Sequence, residues 1–169
     1  MRIMFLIIYI SSVLFFSCCK KESTEAKDKN YLQFKMDGVL WEADGEIFGS
    51  YHFSEALGPK LINISGEKGS GSEQQAFNIN LYNTDKEGTY TVNIPDGGTA
   101  SANQNVAQLG NFTPTNYLCG GMLQGNQMTV NITKVSKDPQ IVEASFSGKM
   151  QYVEGNIIDI TEGKFYYHE

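Results

Sequence analysis

From Leu32 onward, apolar residues recur at every second position in one short run after another, and no other feature of the chain restricts its fold so tightly. Successive side chains of a β-strand point to opposite faces, so this alternation describes strands with one buried and one wet face. Leu32, Phe34 and Met36 alternate with Gln33 and Lys35, and Val39, Trp41 and Ala43 alternate with Glu42 and Asp44. Asp37-Gly38 lies between these two runs and is a strong signal for a two-residue hairpin. Phe77, Ile79 and Leu81 alternate with Asn78 and Asn80, and the turn residues Asp85 to Gly88 lead into Tyr90, Val92 and Ile94. Met128, Val130 and Ile132, then Val142, Ala144 and Phe146, then Ile158 and Ile160 repeat the pattern, and Phe165 and Tyr167 end the series.

Separated by Gly, Asn and Asp turns, these runs predict about nine or ten strands, and apolar residues are nowhere sustained at helical spacing after the first segment. Short strands of this density point to an all-β domain, either an antiparallel β-sandwich or an open β-barrel, with the sandwich preferred. Trp41, on the face of Val39 and Ala43, reads as core. Residues 95 to 127 are the least regular, rich in Gly, Asn, Ser, Thr and Gln; a structureless loop of that length is improbable in a compact domain. A weak hairpin around 104 to 109 and 115 to 119 is expected there. Gly69-Ser70-Gly71-Ser72 marks the stretch 66 to 74 as a flexible loop.

The first segment predicts the cellular address. Arg2 precedes fourteen residues, Ile3 to Phe16, whose most polar members are Tyr9, Ser11 and Ser12. As a helix this run spans roughly 21 Å, short of a hydrocarbon core of about 30 Å. One positive residue, a short apolar stretch and a small residue form the layout of a secretory signal peptide, residues 1 to 17. Leu14-Phe15-Phe16-Ser17-Cys18 resembles a bacterial lipobox, in which the cysteine is acylated and becomes the first residue of the mature chain. Phe15 stands where Leu is commoner, and Cys19 as acceptor would place a cysteine where a small residue belongs, so Cys18 is preferred. Residues 18 to 29 then read as the lipidated cysteine and a flexible tether, too polar to order itself, reaching at most roughly 40 Å. One all-β domain, 30 to 169, follows. The expected location is the bacterial cell envelope, as an outer-membrane lipoprotein facing the periplasm or the exterior.

Removal of the signal peptide takes away Arg2 and no acid, leaving twelve lysines against nineteen acidic residues and a net charge of −7. An acidic chain with scattered lysines has no electrostatic footprint for nucleic acid. With Cys18 acylated, Cys19 and Cys119 remain; two cysteines are no disulfide framework, and Cys119 reads as a small apolar residue.

Two parts of the chain are similar to small lipoproteins of unknown function from Bacteroidota. One is the opening Phe34-x-x-Asp37-Gly38-x-x-Trp41-x-Ala43. The other is the closing series Val130-x-Ile132-Thr133-Lys134, Ser145-Phe146-Ser147-Gly148 and Ile158-x-Ile160-Thr161-x-Gly163-x-Phe165. The resemblance implies lipidation and an envelope address, and it brings no activity and no functional residues.

No signature of catalysis, cofactor or metal binding stands out. G-x-S-x-G is missing, and the two histidines are His52 and His168, the latter expected to fray at the end of the chain. Glu42, Asp44 and Glu46 follow one another at strand spacing and could place carboxylates side by side, but a solvated strand face explains them. Asn83 to Gly88 offers oxygen ligands interrupted by Lys86, which suits a hairpin turn better than calcium. The positive hint is aromatic. Tyr82 follows Asn78 and Asn80 on a polar face, and Tyr166 follows Lys164 on another; such faces can stack a sugar ring and bond its hydroxyls. Two functions are therefore carried forward: a module binding a glycan or small envelope ligand through Tyr82 or Tyr166, and an accessory protein docking another envelope protein through a strand edge.

Overall fold

The computed structural model describes residues 29–52, 60–93, 104–111, 117–120, 126–152 and 155–169. The expected signal peptide, Cys18, Cys19 and the tether up to residue 28 lie outside the described residues. Eleven strands are present among those described: β1 (Tyr31–Met36), β2 (Val39–Glu42), β3 (Ile47–His52), β4 (Leu61–Lys68), β5 (Gln75–Tyr82), β6 (Gly88–Asn93), β7 (Val106–Asn111), β8 (Tyr117–Gly120), β9 (Gln127–Lys137), β10 (Gln140–Tyr152) and β11 (Ile157–His168).

The strands form two antiparallel sheets packed face to face and not closed into a barrel, so the sandwich is the architecture. Sheet I has the order β2-β1-β11-β10-β9-β6, and sheet II the order β3-β4-β5-β7-β8. Strand β10 joins them: residues 140 to 148 pair with β9, whereas Gln151 and Tyr152 pair with Cys119 and Leu118 of β8. The hairpin at Asp37-Gly38 has φ of 47° and 83°, the left-handed pair that a tight two-residue turn between twisted strands requires. Asp37 is also tied to β11, its amide donating to the Asp159 carbonyl and its carboxylate accepting the Asp159 amide, both at 2.9 Å.

The inward positions are those that alternation predicts. Leu32 and Phe34, Phe77, Ile79 and Leu81, Met128, Val130 and Ile132, Val142 and Phe146, and Ile160 and Phe165 are all buried. An aromatic cluster bridges the layers. Phe34 stacks on Trp41 at 4.7 Å, and Phe77 of sheet II lies 4.7 Å from Phe34 and 5.4 Å from Phe146 of sheet I. The Trp41 indole N–H donates to Gln75 Oε1 at 2.7 Å, so the one polar atom of this buried ring is satisfied.

Several expectations need correction. The count of nine or ten rises to eleven: β3 and β4 add two strands, while Ile158 to Tyr167 is one strand and not two, bent where Glu162 adopts φ 54°. Val39 shares the inward face with Trp41 but is 71% exposed, since it lies beyond the end of the opposing sheet's cover, while Trp41 is 3% exposed. The stretch 66 to 74 is no flexible loop: β4 continues to Lys68, a 3-10 turn spans Gly71–Glu73, and the Gly69 amide donates to Asp44 Oδ1 at 2.7 Å. Asp44 and Glu46 lie in the β2–β3 connection and not on a strand face. His168 does not fray; it pairs with Ile141, and its amide donates to Asn30 Oδ1 at 2.8 Å.

The turn before β6 is locked by one phenol. Tyr90 Oη donates to the Lys86 carbonyl and accepts from the buried Thr84 hydroxyl, both at 2.6 Å. Tyr90→Phe leaves Thr84 without its acceptor and should cost about 1–2 kcal/mol. Urea unfolding should show a lower midpoint at unchanged slope.

Candidate functional site

Side chains on the outer face of sheet I fall into a row that register alone creates. Glu42 of β2 pairs with Gln33 of β1, Gln33 with Lys164 of β11, Lys164 with Ser145 of β10, Ser145 with Asn131 of β9, and Asn131 with Thr89 of β6. Six strands at about 4.8 Å spacing make this polar row about 24 Å long, running across the strands. Its middle is built from short side chains, Ser145, Ser147 and Thr129, flanked by the long ones of Lys164 and Glu162. The result is a hollow of about 420 Å³. Glu162 is held in place by Lys35 at 2.7 Å.

A second hollow, of about 390 Å³, continues the trough toward β2 and shares Lys164 with the first. Tyr31, Gln33, Glu42, Asp44 and Asn30 line it. Its aromatic wall is Tyr31, 38% exposed, which stacks on Tyr166 beside the hollow with centroids 5.9 Å apart and planes 17° from parallel. Tyr166 Oη lies 3.5 Å from His168 Nδ1. Lys164, common to both hollows, forms no hydrogen bond or ion pair among the described residues, so its ammonium is available to a ligand. The trough therefore combines an apolar ring face, three carboxylates, an ammonium and several amides and hydroxyls. This composition suits a polyhydroxylated ligand lying along the row.

Tyr166 thus falls beside the trough, with Lys164 next to it, as the sequence places them. Tyr82 does not join it. Tyr82 sits on the outer face of β5 in sheet II, opposite Leu61, and its amide donates to Asn105 Oδ1 at 2.8 Å. The two tyrosines occupy opposite faces of the sandwich and cannot grip one small ligand. Sequence reasoning passed over Tyr31, Gln33, Ser145 and Asn131, whose only signal is a wet position in an alternating run; their convergence depends on strand order.

The side chains of His52 and Cys119 lie outside the described residues. Their strands, β3 and β8, are four places apart in sheet II, about 19 Å, which is too far for a nucleophile and its base. Among the described residues, no group of three or more His, Cys, Asp or Glu could hold a metal ion. No helix among them is long and apolar enough to cross a membrane. Comparison with protein-family models, with curated proteins and with solved structures finds no match.

Proposed function

We propose that the chain is a lipid-anchored envelope protein of the Bacteroidota type, held in the outer membrane through Cys18, whose sandwich binds a glycan or small polar ligand in the trough of sheet I. The observation that carries this reading is the continuity of two hollows through Lys164 beside the stacked Tyr31–Tyr166 pair. Loops and faces of a rigid sandwich are a common place for recognition, and an aromatic wall with a few convergent polar groups is the usual make-up of a small-molecule site. Dual or triple acylation would keep the domain stably at the membrane surface without a spanning segment.

The test is a thermal-shift screen of the full-length chain against glycans. A ligand at 100 times its dissociation constant stabilises by about 2.7 kcal/mol, a rise of several degrees in the midpoint for a domain of this size. Tyr166→Ala removes the ring on which Tyr31 of the trough is stacked and should weaken binding by about tenfold, the equivalent of about 1.4 kcal/mol. A stabilising glycan whose affinity is unchanged in Tyr166→Ala would remove the trough from the account.

A second reading has its own observation. Val39 and Leu40, 71% and 53% exposed, stand on the edge strand β2, the kind of edge through which an accessory protein docks another envelope protein. Crosslinking in intact envelopes that captures one partner, and fails in the double variant Val39→Ser/Leu40→Ser, would favour it.

A further inference from the structure

We infer that sheet II carries a second, independent ligand site on the opposite outer face, and that it takes a neutral or amino sugar and rejects an acidic one. The inference does not rest on the trough of sheet I. A hollow of about 360 Å³ opens over β3, β4 and β5, within the range of roughly 300–1,000 Å³ in which small molecules bind. Register sets its key groups side by side: Phe48 of β3 pairs with Ser65 of β4, and Ser65 with Asn78 of β5.

Three features define what could fill it. Asn78 Oδ1 is shielded from solvent yet accepts no hydrogen bond. An acceptor left so costs about 1–3 kcal/mol, and a shielded, unpartnered group of this kind calls for a partner from outside the chain. Glu46 and Glu67 also line the hollow. Glu67 Oε2 accepts from Gln74 Nε2 at 2.8 Å, and the Glu46 carboxylate has no partner among the described residues. The Ser65 hydroxyl is engaged with the Phe48 carbonyl and Asn63 Oδ1, at 2.9 and 3.1 Å. Apart from the Asn78 Nδ2 amide, the side-chain groups on offer are therefore acceptors, and no lysine lines the hollow. A ligand has to bring donors, which sugar hydroxyls or an ammonium do and a further carboxylate does not.

Phe48 supplies the apolar wall. Its ring is 40% exposed at the rim, and its edge-on contact with Tyr167, at 6.0 Å and 61°, fixes its orientation. A pyranose C–H face can lie on such a ring while the hydroxyls point down to Asn78 and the carboxylates.

The experiment is a titration of the ¹⁵N-labelled full-length chain, followed by amide chemical shifts, with glucose, galactose, mannose, glucosamine and glucuronate. At least one neutral sugar or glucosamine should move the Asn78 side-chain amide and the Ser65 and Gly66 backbone amides saturably, with glucuronate leaving them in place. Phe48→Ala should weaken that response by about tenfold, and Asn78→Ala should abolish it. Well-dispersed spectra establish that each variant is folded. Tyr166→Ala, on the other sheet, should leave the response unchanged, which separates failure of this site from failure of the trough. Silence of these amides toward all five sugars, an equal response to glucuronate, or indifference to Phe48→Ala in a folded variant would overturn the inference.

Discussion

Phe77→Ala should destabilise the domain by about 3–5 kcal/mol, the range for removing a fully buried ring. Phe77 is fully buried, and from sheet II its ring meets three aromatic groups of sheet I, within 4.7 Å of Phe34, 5.4 Å of Phe146 and 6.1 Å of Trp41 by ring centroids. Truncation leaves a cavity at the contact of the two layers, where neighbouring rings cannot collapse without lifting whole strands. Small domains have only about 5–15 kcal/mol in hand, so roughly a fifth or more of the total is at stake. Urea unfolding should show a much lower midpoint with little change in slope. A loss below about 1 kcal/mol would mean that the layers are not held together at this cluster.

Gly148→Ala should be comparably damaging, at about 3 kcal/mol or more, for a different reason. Gly148 sits where β10 stops pairing with β9 and turns toward β8, at φ 153°. A Cβ there would collide with the Gln127 carbonyl oxygen and approach Met128 Cα to 2.5 Å. Both obstacles are backbone, so no side chain can swing aside to make room. The crossing of β10 from one sheet to the other depends on this gap, and thermal melting should fall by roughly 10 °C. A melting point within a degree or two of the parent would show that β10 does not make the crossing described.

Much of this architecture is legible from residues alone, and the places where reading failed have physical causes. Asp37-Gly38 announces its hairpin because few residue pairs tolerate two consecutive left-handed conformations. Strands β3 and β4 escape notice because an inward position in each is glycine. A Cβ on Gly49 would lie 2.7 Å from Tyr167 Cβ and 2.9 Å from the Phe165 ring, and one on Gly66 would lie 2.8 Å from Leu32 Cδ2. Where the two sheets approach this closely the core has no space for a side chain, so the residue that belongs inside looks like a loop residue. Val39 misleads in the opposite direction. Its alternation is right, and it does point to the inner face, but β2 outruns the cover of the second sheet.

The candidate site was legible only in part. Lys164 and Tyr166 are neighbours in sequence and stay together in space. Tyr31 is 135 residues from Tyr166, and only the pairing of β1 with β11 brings their rings into a stack. Ser145 and Asn131 look like ordinary solvated positions until β9, β10 and β11 are laid side by side. Periodicity reports which face a side chain takes within its own strand and carries no information about the neighbouring strand. Tyr82 and Tyr166 could thus be proposed together from sequence and still belong to opposite faces.

A glycan-array screen of the full-length chain beside its Tyr31→Ala/Tyr166→Ala variant decides whether the trough of sheet I recognises a glycan. The parent chain should bind one class of glycan, and the folded double variant should lose it. An array on which the parent binds nothing, or on which the variant binds as the parent does, would mean that the trough is no glycan site.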